Sequence, residues 1–262
     1  MRKTALRIFS VCLCLLMCVS AVSGLTASAQ SASRWTSYYD ADSGFYAEKC
    51  AHFDNGPALE VGSSVYFGAY PQEKGDSEYN TRDYDSIEWV VLASNGGTAT
   101  LISKYALDSR PFHNRKEATC WAYCSLREWL NEDFYDMAFS REQKKLINTS
   151  YSYSSPNPVY KDTAVGPDTE DQVTILNAFE ADSSLGYWDL NYQRFCKPTD
   201  YAVEHGAFQD DKSGCWWWVN TPGITQKDCA STNSDGSMDY DDGSVNSAHG
   251  CVRPVINITI PD

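Results

Sequence analysis

The chain has 262 residues, with 35 acidic against 21 basic side chains and a formal charge of −14. Such a surface repels phosphate backbones and anionic lipid headgroups, which excludes nucleic acid and polybasic membrane docking as ordinary partners. No Pro/Ser-rich linker divides the middle, and the length suits one large domain.

Met1-Arg2-Lys3 carries positive charge, an apolar run from Ile8 to Val22 follows, and Ala27-Ser28-Ala29 gives the small-x-small pattern of a signal-peptidase site. Residues 1–29 are therefore expected to be a cleaved export signal. The apolar run is shorter than the ~20 residues a retained spanning helix needs, and Met17 is a poor neighbour for lipoprotein processing at Cys18. Losing Arg2, Lys3 and Arg7 takes the formal charge from −14 to −17. No later segment is long and apolar enough to span a bilayer. The expected location is secreted or cell-surface associated, with no membrane insertion after signal cleavage.

Residues 30–58 show scattered Tyr, Asp and Gly without period and are expected to form an irregular extension, tethered if Cys50 is bridged. From Ser64, Val65, Phe67 and Ala69 alternate with Tyr66, Gly68 and Tyr70, the period of a half-buried strand. Ile87 to Leu92 and Thr98 to Ile102 flank Asn95-Gly96-Gly97, a hairpin signal. Ser125 to Glu128 reads as a capping box opening a helix with Leu126, Trp129, Leu130 and Phe134 at helical spacing. A second box, Ser140 to Gln143, opens a shorter helix. Residues 148–171 form a polar loop, Val173 to Leu176 a short buried strand, and Asn177 caps a following helix. A further helix runs from Thr199 to Gly206, whose missing Cβ suits a left-handed helix end. Beyond Cys215 the chain reads as strands and turns, closing on Val252 to Ile260. The expectation is an α+β domain over 59–262, with the last strand pairing near the first.

Of ten cysteines, Cys12, Cys14 and Cys18 leave with the signal. Cys50, Cys120, Cys124, Cys196, Cys215, Cys229 and Cys251 stay, and disulfides are their default use in an exported chain. An odd count leaves at least one thiol outside any internal bridge. No zinc framework or other metal signature is present, since there are no paired CxxC motifs and the four histidines are isolated. The acids Asp235, Asp239, Asp241 and Asp242 depart from the EF-hand pattern and read as a solvated turn ahead of a calcium site. GxSxG, HExxH and papain-like contexts are absent. A Cys120–His113 pair assembled in space is the remaining nucleophile-and-base arrangement to weigh, so no catalytic residue and no cofactor is assigned. Asn148 and Asn257 match short glycosylation sequons. In Trp216-Trp217-Trp218, strand alternation sends Trp216 and Trp218 to one face and Trp217 to the other. One or two of these anchor the core, or an exposed indole serves as a stacking platform, a role the 17 tyrosines also suit.

Several stretches in order resemble a bacterial family known only as domain of unknown function 6273. They include Val65-Tyr66-Phe67-Gly68-Ala69-Tyr70-Pro71-Gln72, Ile87-Glu88-Trp89-Val90-Val91-Leu92, Cys124-Ser125-Leu126-Arg127-Glu128-Trp129-Leu130-Asn131 and Cys196-Lys197-Pro198-Thr199. Cys215 to Gly223 and Gly250-Cys251-Val252-Arg253-Pro254 follow, so the resemblance covers about residues 60–260. It implies a C-type-lectin-like fold, similar to the sulfatase-modifying-factor type of formylglycine-generating enzymes, with paired terminal strands, helices in the middle and an irregular C-terminal sheet. Val219-Asn220-Thr221-Pro222-Gly223 departs from the family's usual Leu-Arg-Ser-Pro-Gly and lacks that Arg fork.

Cys229 and Cys251 bracket the turns of the C-terminal sheet and are the expected disulfide, provided their Cα atoms fall within about 7 Å. The leading expectation is an extracellular recognition domain for a glycan or protein ligand, bound through an aromatic C-terminal face around Trp217, Asn220, Tyr240 and Arg253. Arg253 has a second reading as an anchor of the last strand. A cysteine-dependent oxidative enzyme, using a close thiol pair near Cys229 and Cys251 with copper as in the formylglycine-generating relatives, is one alternative. A structural cell-envelope module is the other.

Overall fold

In the computed structural model, which describes residues 35–184 and 194–262, the most strictly alternating stretches become inner strands of one sheet. The expected signal segment, 1–29, lies outside the described residues. Strands β1 (Thr36–Asp40), β2 (Phe45–Phe53) and β3 (Gly56–Leu59) come first. They correct the expectation of an irregular extension over 30–58: β2 buries Phe45, Ala47 and Cys50 and pairs with both β1 and β3. β2 is long enough to show a period but breaks it, with Glu48 and Lys49 both exposed and Cys50 and Ala51 both buried, while β1 and β3 are short. Cys50 is an unbridged thiol, so no covalent tether holds this region.

In β4 (Ser64–Pro71) the expected alternation holds through Val65 and Phe67 and then flips. Gly68 takes φ +73°, the register against the next strand shifts between Tyr66 and Ala69, and Tyr70 turns into the core in place of Ala69. This is a β-bulge with glycine at its left-handed position. A Cβ there would lie 2.6 Å from the Phe139 ring. The expected hairpin is present, with β5 (Tyr84–Asn95) and β6 (Thr98–Ser103) joined by Gly96 and Gly97, both at positive φ. Two-residue β7 (Asp108–Ser109) follows.

Ser125–Trp129, a widened turn Leu130–Phe134 and Tyr135–Ala138 run on as one helix, α1. Its cap is Cys124, whose Sγ accepts from the Arg127 backbone N–H at 3.4 Å, so the expected Ser125 box is displaced by one residue. Ser125 Oγ instead accepts from the Asn114 N–H (2.9 Å), tying the helix start to the preceding loop. The box at Ser140 opens α2 (Arg141–Lys144) as expected. The expected loop over 148–171 carries short strands at its ends: β8 (Ile147–Asn148) and β9 (Ser150–Ser152), then β10 (Thr169–Asp171). β11 (Val173–Thr174) is the expected buried strand, and Asn177 caps the expected helical segment after it, which includes Glu180–Ser184, by accepting from the Glu180 N–H at 2.8 Å. Thr199 caps α3 (Asp200–Glu204), which ends at Gly206 with φ +101°. The strand-and-turn C-terminus comprises β12 (Trp217–Pro222), β13 (Asp228–Thr232), β14 (Met238–Ser244), β15 (Cys251–Val252) and β16 (Val255–Thr259).

The result is mixed α+β with mostly antiparallel sheets. Among the described residues, one sheet orders β1-β2-β4-β5-β6-β16-β11, with β3 on β2 and β8 on β16, and a second orders β14-β13-β12-β15-β7. The last strand joins the first sheet but lies against β6, with β6, β5, β4 and β2 between it and β1. Paired terminal strands are therefore replaced by a β6–β16 pairing, which seats the C-terminus on the strong hairpin.

Two hydrophobic clusters share these sheets. Val91, Leu101 and Trp218 belong to one, while their chain neighbours Leu92, Ile102 and Trp217 belong to the other. Strands buried on both faces need no polar alternation, which explains the unbroken apolar runs at 90–92 and 101–102. The tryptophan run obeys the expected parity: Trp216 and Trp218 meet edge to face at 4.7 Å, with Trp217 opposite. Both faces are interior, so Trp217 and Trp218 are each wholly buried.

Candidate ligand-binding cleft

The most elaborate polar site gathers residues from β4, β7, α1 and α3. Asp108 is fixed by the β7–β15 pairing, where it stands opposite Val252, and is almost fully buried. A buried carboxylate is stable only when its oxygens are occupied. Here Oδ2 accepts from the Tyr70 hydroxyl (2.9 Å) and from Arg110 Nε (2.9 Å), and Oδ1 from the Ser109 N–H (2.7 Å). The Gly68 bulge is what turns Tyr70 toward this acid. Burial, reinforced by the Asp108 charge, pushes the Tyr70 phenol far above its ordinary range, so it remains a donor. Tyr201, at the start of α3, hydrogen-bonds to Tyr70, and burial raises its phenol as well.

Arg110 leads outward from this acid. Its guanidinium carbon lies 4.1 Å from the centre of the Trp129 ring, a cation–π contact, and a terminal nitrogen is 3.4 Å from Glu78 Oε2. The Arg110 main chain is held at both ends: its N–H donates to the Gly250 carbonyl (2.9 Å), and its carbonyl accepts from Trp218 Nε1 (2.9 Å). Buried Trp218 thus anchors the turn that aims Arg110. About a third of the Arg110 side chain remains exposed.

That exposed part forms one wall of a cleft of about 240 Å³, lined also by Pro111, Asn114, Ser125 and Trp129. Glu128, Glu132 and Asp133 of α1 complete the rim, the two glutamates one helical turn apart on the solvent side. Asp108 and Glu78 already neutralise Arg110, so the cleft offers a surplus of carboxylate acceptors, one amide and the edge of an indole. Such a lining accepts hydrogen bonds from hydroxyl or ammonium groups and repels phosphate.

Behind the cleft, α1 is pinned by two side chains. Asp171, fully buried, accepts from Trp121 Nε1 (2.9 Å), Arg127 Nε (2.6 Å) and Thr169 Oγ1 (2.7 Å). Asn131, in the widened turn, donates to the Arg127 and Val173 carbonyls and accepts from the Gln172 and Val173 N–H groups.

The residues singled out in the sequence lie elsewhere. Trp217 has no exposed surface, and its Nε1 donates to the Arg194 carbonyl at 3.2 Å. Arg253 is 3 % exposed, donates from Nε to the Ser103 carbonyl (2.8 Å) and sits 5.2 Å from the Trp217 ring centre. This places Arg253 as an anchor of the last strand. Asn220 is also buried, donating to Ser152 Oγ and the Ile175 carbonyl. Tyr240 alone of the four reaches solvent, with its hydroxyl 3.3 Å from Asp182. Trp217 and Asn220 lie in β12, every residue of which is buried, and Arg253 is buried as well, so these three offer a ligand almost no surface.

The expected Cys229–Cys251 bridge is also corrected. Cys229 lies in the first cluster, its Sγ 3.0 Å from the Val219 carbonyl, while Cys251 lies in the second. Their strands, β13 and β15, are separated by β12, and all seven described cysteines are unbridged and buried. His113 faces Ser125 and Glu117 and has no bond to Cys120: Nδ1 accepts from the Ser125 N–H (3.2 Å), and Nε2 lies 3.2 Å from Glu117. Asp235 and Asp239 accept from backbone N–H groups two residues on, and no cluster of three or more metal-ligating side chains occurs among the described residues. The Asp242 side chain lies outside the description. Both sequon asparagines bond across strands, Asn148 with Thr259 and Asn257 with Ser150.

Arg110 and Asp108 were invisible to motif reading, since a lone acid and base two residues apart carry no signature. Trp129 was legible only as a core position of α1. The useful signal was on its other side, where Glu128, Glu132 and Asp133 give the helix an acidic exposed face. Compared with known proteins, residues 96–260 match the family described as Domain of unknown function (DUF6273). The match includes Asp108, Arg110 and α1, and leaves Tyr70 and Glu78 before it. No curated protein and no solved structure matches the chain.

Proposed function

The chain belongs to the family of domain of unknown function 6273, and, since that description assigns no activity, we propose from geometry that it is an extracellular recognition domain whose glycan or protein ligand docks in the Arg110–Trp129 cleft. The observation carrying this reading is the clamped guanidinium: Asp108, Glu78 and Trp129 hold Arg110 beside the cleft, with about a third of its side chain exposed. Binding sites preorganise polar groups in this way, so that little side-chain freedom is lost on docking. Carboxylates and an indole edge suit sugar hydroxyls, and the acidic surplus disfavours nucleic acid.

Export, read from residues 1–29, supplies the extracellular setting. Among the described residues no helix is long and apolar enough to cross a membrane. The C-type-lectin-like arrangement remains part of this proposal. The mixed sheets, short helices and long connections between strands support it, while the β6–β16 pairing departs from the expected terminal-strand pair. The oxidative-enzyme reading loses its thiol pair, because Cys229 and Cys251 occupy different clusters.

A screen on an array of bacterial-wall and host glycans, followed by calorimetry with the strongest binder, tests the site. Glu132→Gln combined with Asn114→Ala should weaken binding tenfold or more, and Tyr240→Phe should leave it unchanged. An unaltered Kd in the double variant would remove the cleft from the account. Binding to none of the glycans would contradict the glycan arm.

A further inference from the structure

Three of the buried thiols meet. Cys196 precedes α3, Cys215 precedes β12 and Cys251 lies in β15, and all three belong to the second hydrophobic cluster. The Cys196 and Cys215 thiols interact with each other, and that of Cys215 also with Cys251, while Cys196 Sγ lies 3.5 Å from the Lys197 carbonyl. Main-chain geometry separates the two pairings. The Cys215 N–H donates to the Cys196 carbonyl at 2.9 Å, and one such bond keeps the two Cα atoms within about 7 Å, the upper limit for a disulfide. Cys251 instead stands opposite Trp217 in a parallel register. It is therefore displaced from Cys215 by two residues, roughly 6.6 Å along the strand, as well as by the ~4.8 Å strand spacing. That puts the Cα separation near 8 Å, beyond a bridge without backbone movement.

We propose that Cys196 and Cys215 form a disulfide, closing residues 197–214 and with them α3, while Cys251 remains a thiol packed against it. The oxidant is a low-molecular-weight disulfide or a disulfide-carrying oxidoreductase. The Cys215 thiolate attacks the oxidant's disulfide and releases one thiolate. The Cys196 thiolate then attacks the mixed disulfide and releases the second. Two protein thiols thereby lose two protons and two electrons, and one oxidant disulfide becomes two thiols. Burial excludes the oxidant from the finished core, so the bridge forms while the chain folds. It rests on the extracellular reading only for the source of oxidant, and the cleft plays no part in it.

Its test is the full chain, unfolded, reduced, refolded in a buffer of oxidised and reduced glutathione, alkylated and digested with trypsin, which cuts at Lys212 between the two cysteines. The expected product links the peptide containing Cys196 to that containing Cys215, with Cys251 alkylated, and Cys251→Ser retains the link. Adding reductant should lower the Tm by roughly 5–10 °C, with no such drop in the Cys196→Ala, Cys215→Ala double variant. A Cys215–Cys251 link, or alkylation of both Cys196 and Cys215 without reduction, overturns the assignment. Because refolding supplies the oxidant in vitro, either result is independent of export.

Discussion

Among the described residues an arginine lies on a tryptophan at two places, to different ends. Arg253 lies over Trp217 in the sealed second cluster, its Nε bonded to a main-chain carbonyl. Arg110 lies over Trp129, paired with two carboxylates, and a third of its side chain faces a cleft. Burial decides the role of each pair. The sealed pair joins strands, because both partners spend their contacts inside. In the open pair Asp108 and Glu78 each hold a guanidinium nitrogen, and about a third of the side chain stays exposed. A conspicuous sequence feature can thus be structural while an inconspicuous one forms the site.

Breaking the sealed pair should have the largest effect on stability and none specific to the cleft. Trp217→Ala is expected to cost about 3–5 kcal/mol, the range for a large buried aromatic, read from denaturant unfolding. A loss under about 1 kcal/mol would show that Trp217 is not the core residue described. Gly68→Ala attacks the open pair from behind. The positive φ and the contact with Phe139 should together cost about 2–3 kcal/mol, and the tyrosine spectrum of Tyr70 should change as it loses its place. Tyr70→Phe removes one donor from buried Asp108 and should cost about 1–3 kcal/mol. The partner arginine keeps the acid paired, so the variant should fold. Glu132→Gln, at the exposed rim, should change stability by no more than about 0.5 kcal/mol and report on binding alone.

The smallest expected effect concerns pH on the sealed side. Burial raises the carboxyl of Glu180 above its ordinary value of 4.5, against the lowering by its bond from Asn177. The folded state therefore holds this proton more firmly than the unfolded chain does. Its contribution is most favourable below pH 4.5 and declines as pH rises toward the folded value. Glu180→Gln should flatten that part of the stability–pH curve, and an unchanged slope would assign it to other groups.

Much of the fold was readable because local signals agreed with tertiary demands. Asn95-Gly96-Gly97 makes its hairpin, Ser140 and Thr199 cap their helices, and Gly206 ends one. The errors have particular causes. At Gly68 a bulge adds a residue to one strand, so strict alternation gave Ala69 the inward position that Tyr70 takes. At 36–59 the longest strand, β2, breaks alternation itself, with Glu48 and Lys49 both exposed and Cys50 and Ala51 both buried, so no period shows. Cys124, a weak acceptor by type, took the cap expected of Ser125 because Ser125 Oγ is engaged by Asn114. The tryptophan run was assigned the right faces and the wrong exposure, since parity says nothing about whether a second layer covers the outer face. The cleft was the least legible part: the loop after β7 supplies Arg110, Pro111 and Asn114, α1 supplies the rest of the lining, and Tyr70 of β4 and Tyr201 of α3 brace the buried acid behind Arg110, so only the fold brings them together.

Hydrogen–deuterium exchange, with and without the strongest array binder, compares the two arginine–tryptophan regions most directly. The account predicts that ligand slows exchange in residues 110–133, around Arg110, Asn114 and the first turns of α1, and leaves 217–220 and 251–253 as slow as before. Protection gained at 217–220 and 251–253, with residues 110–133 unaffected, would contradict it.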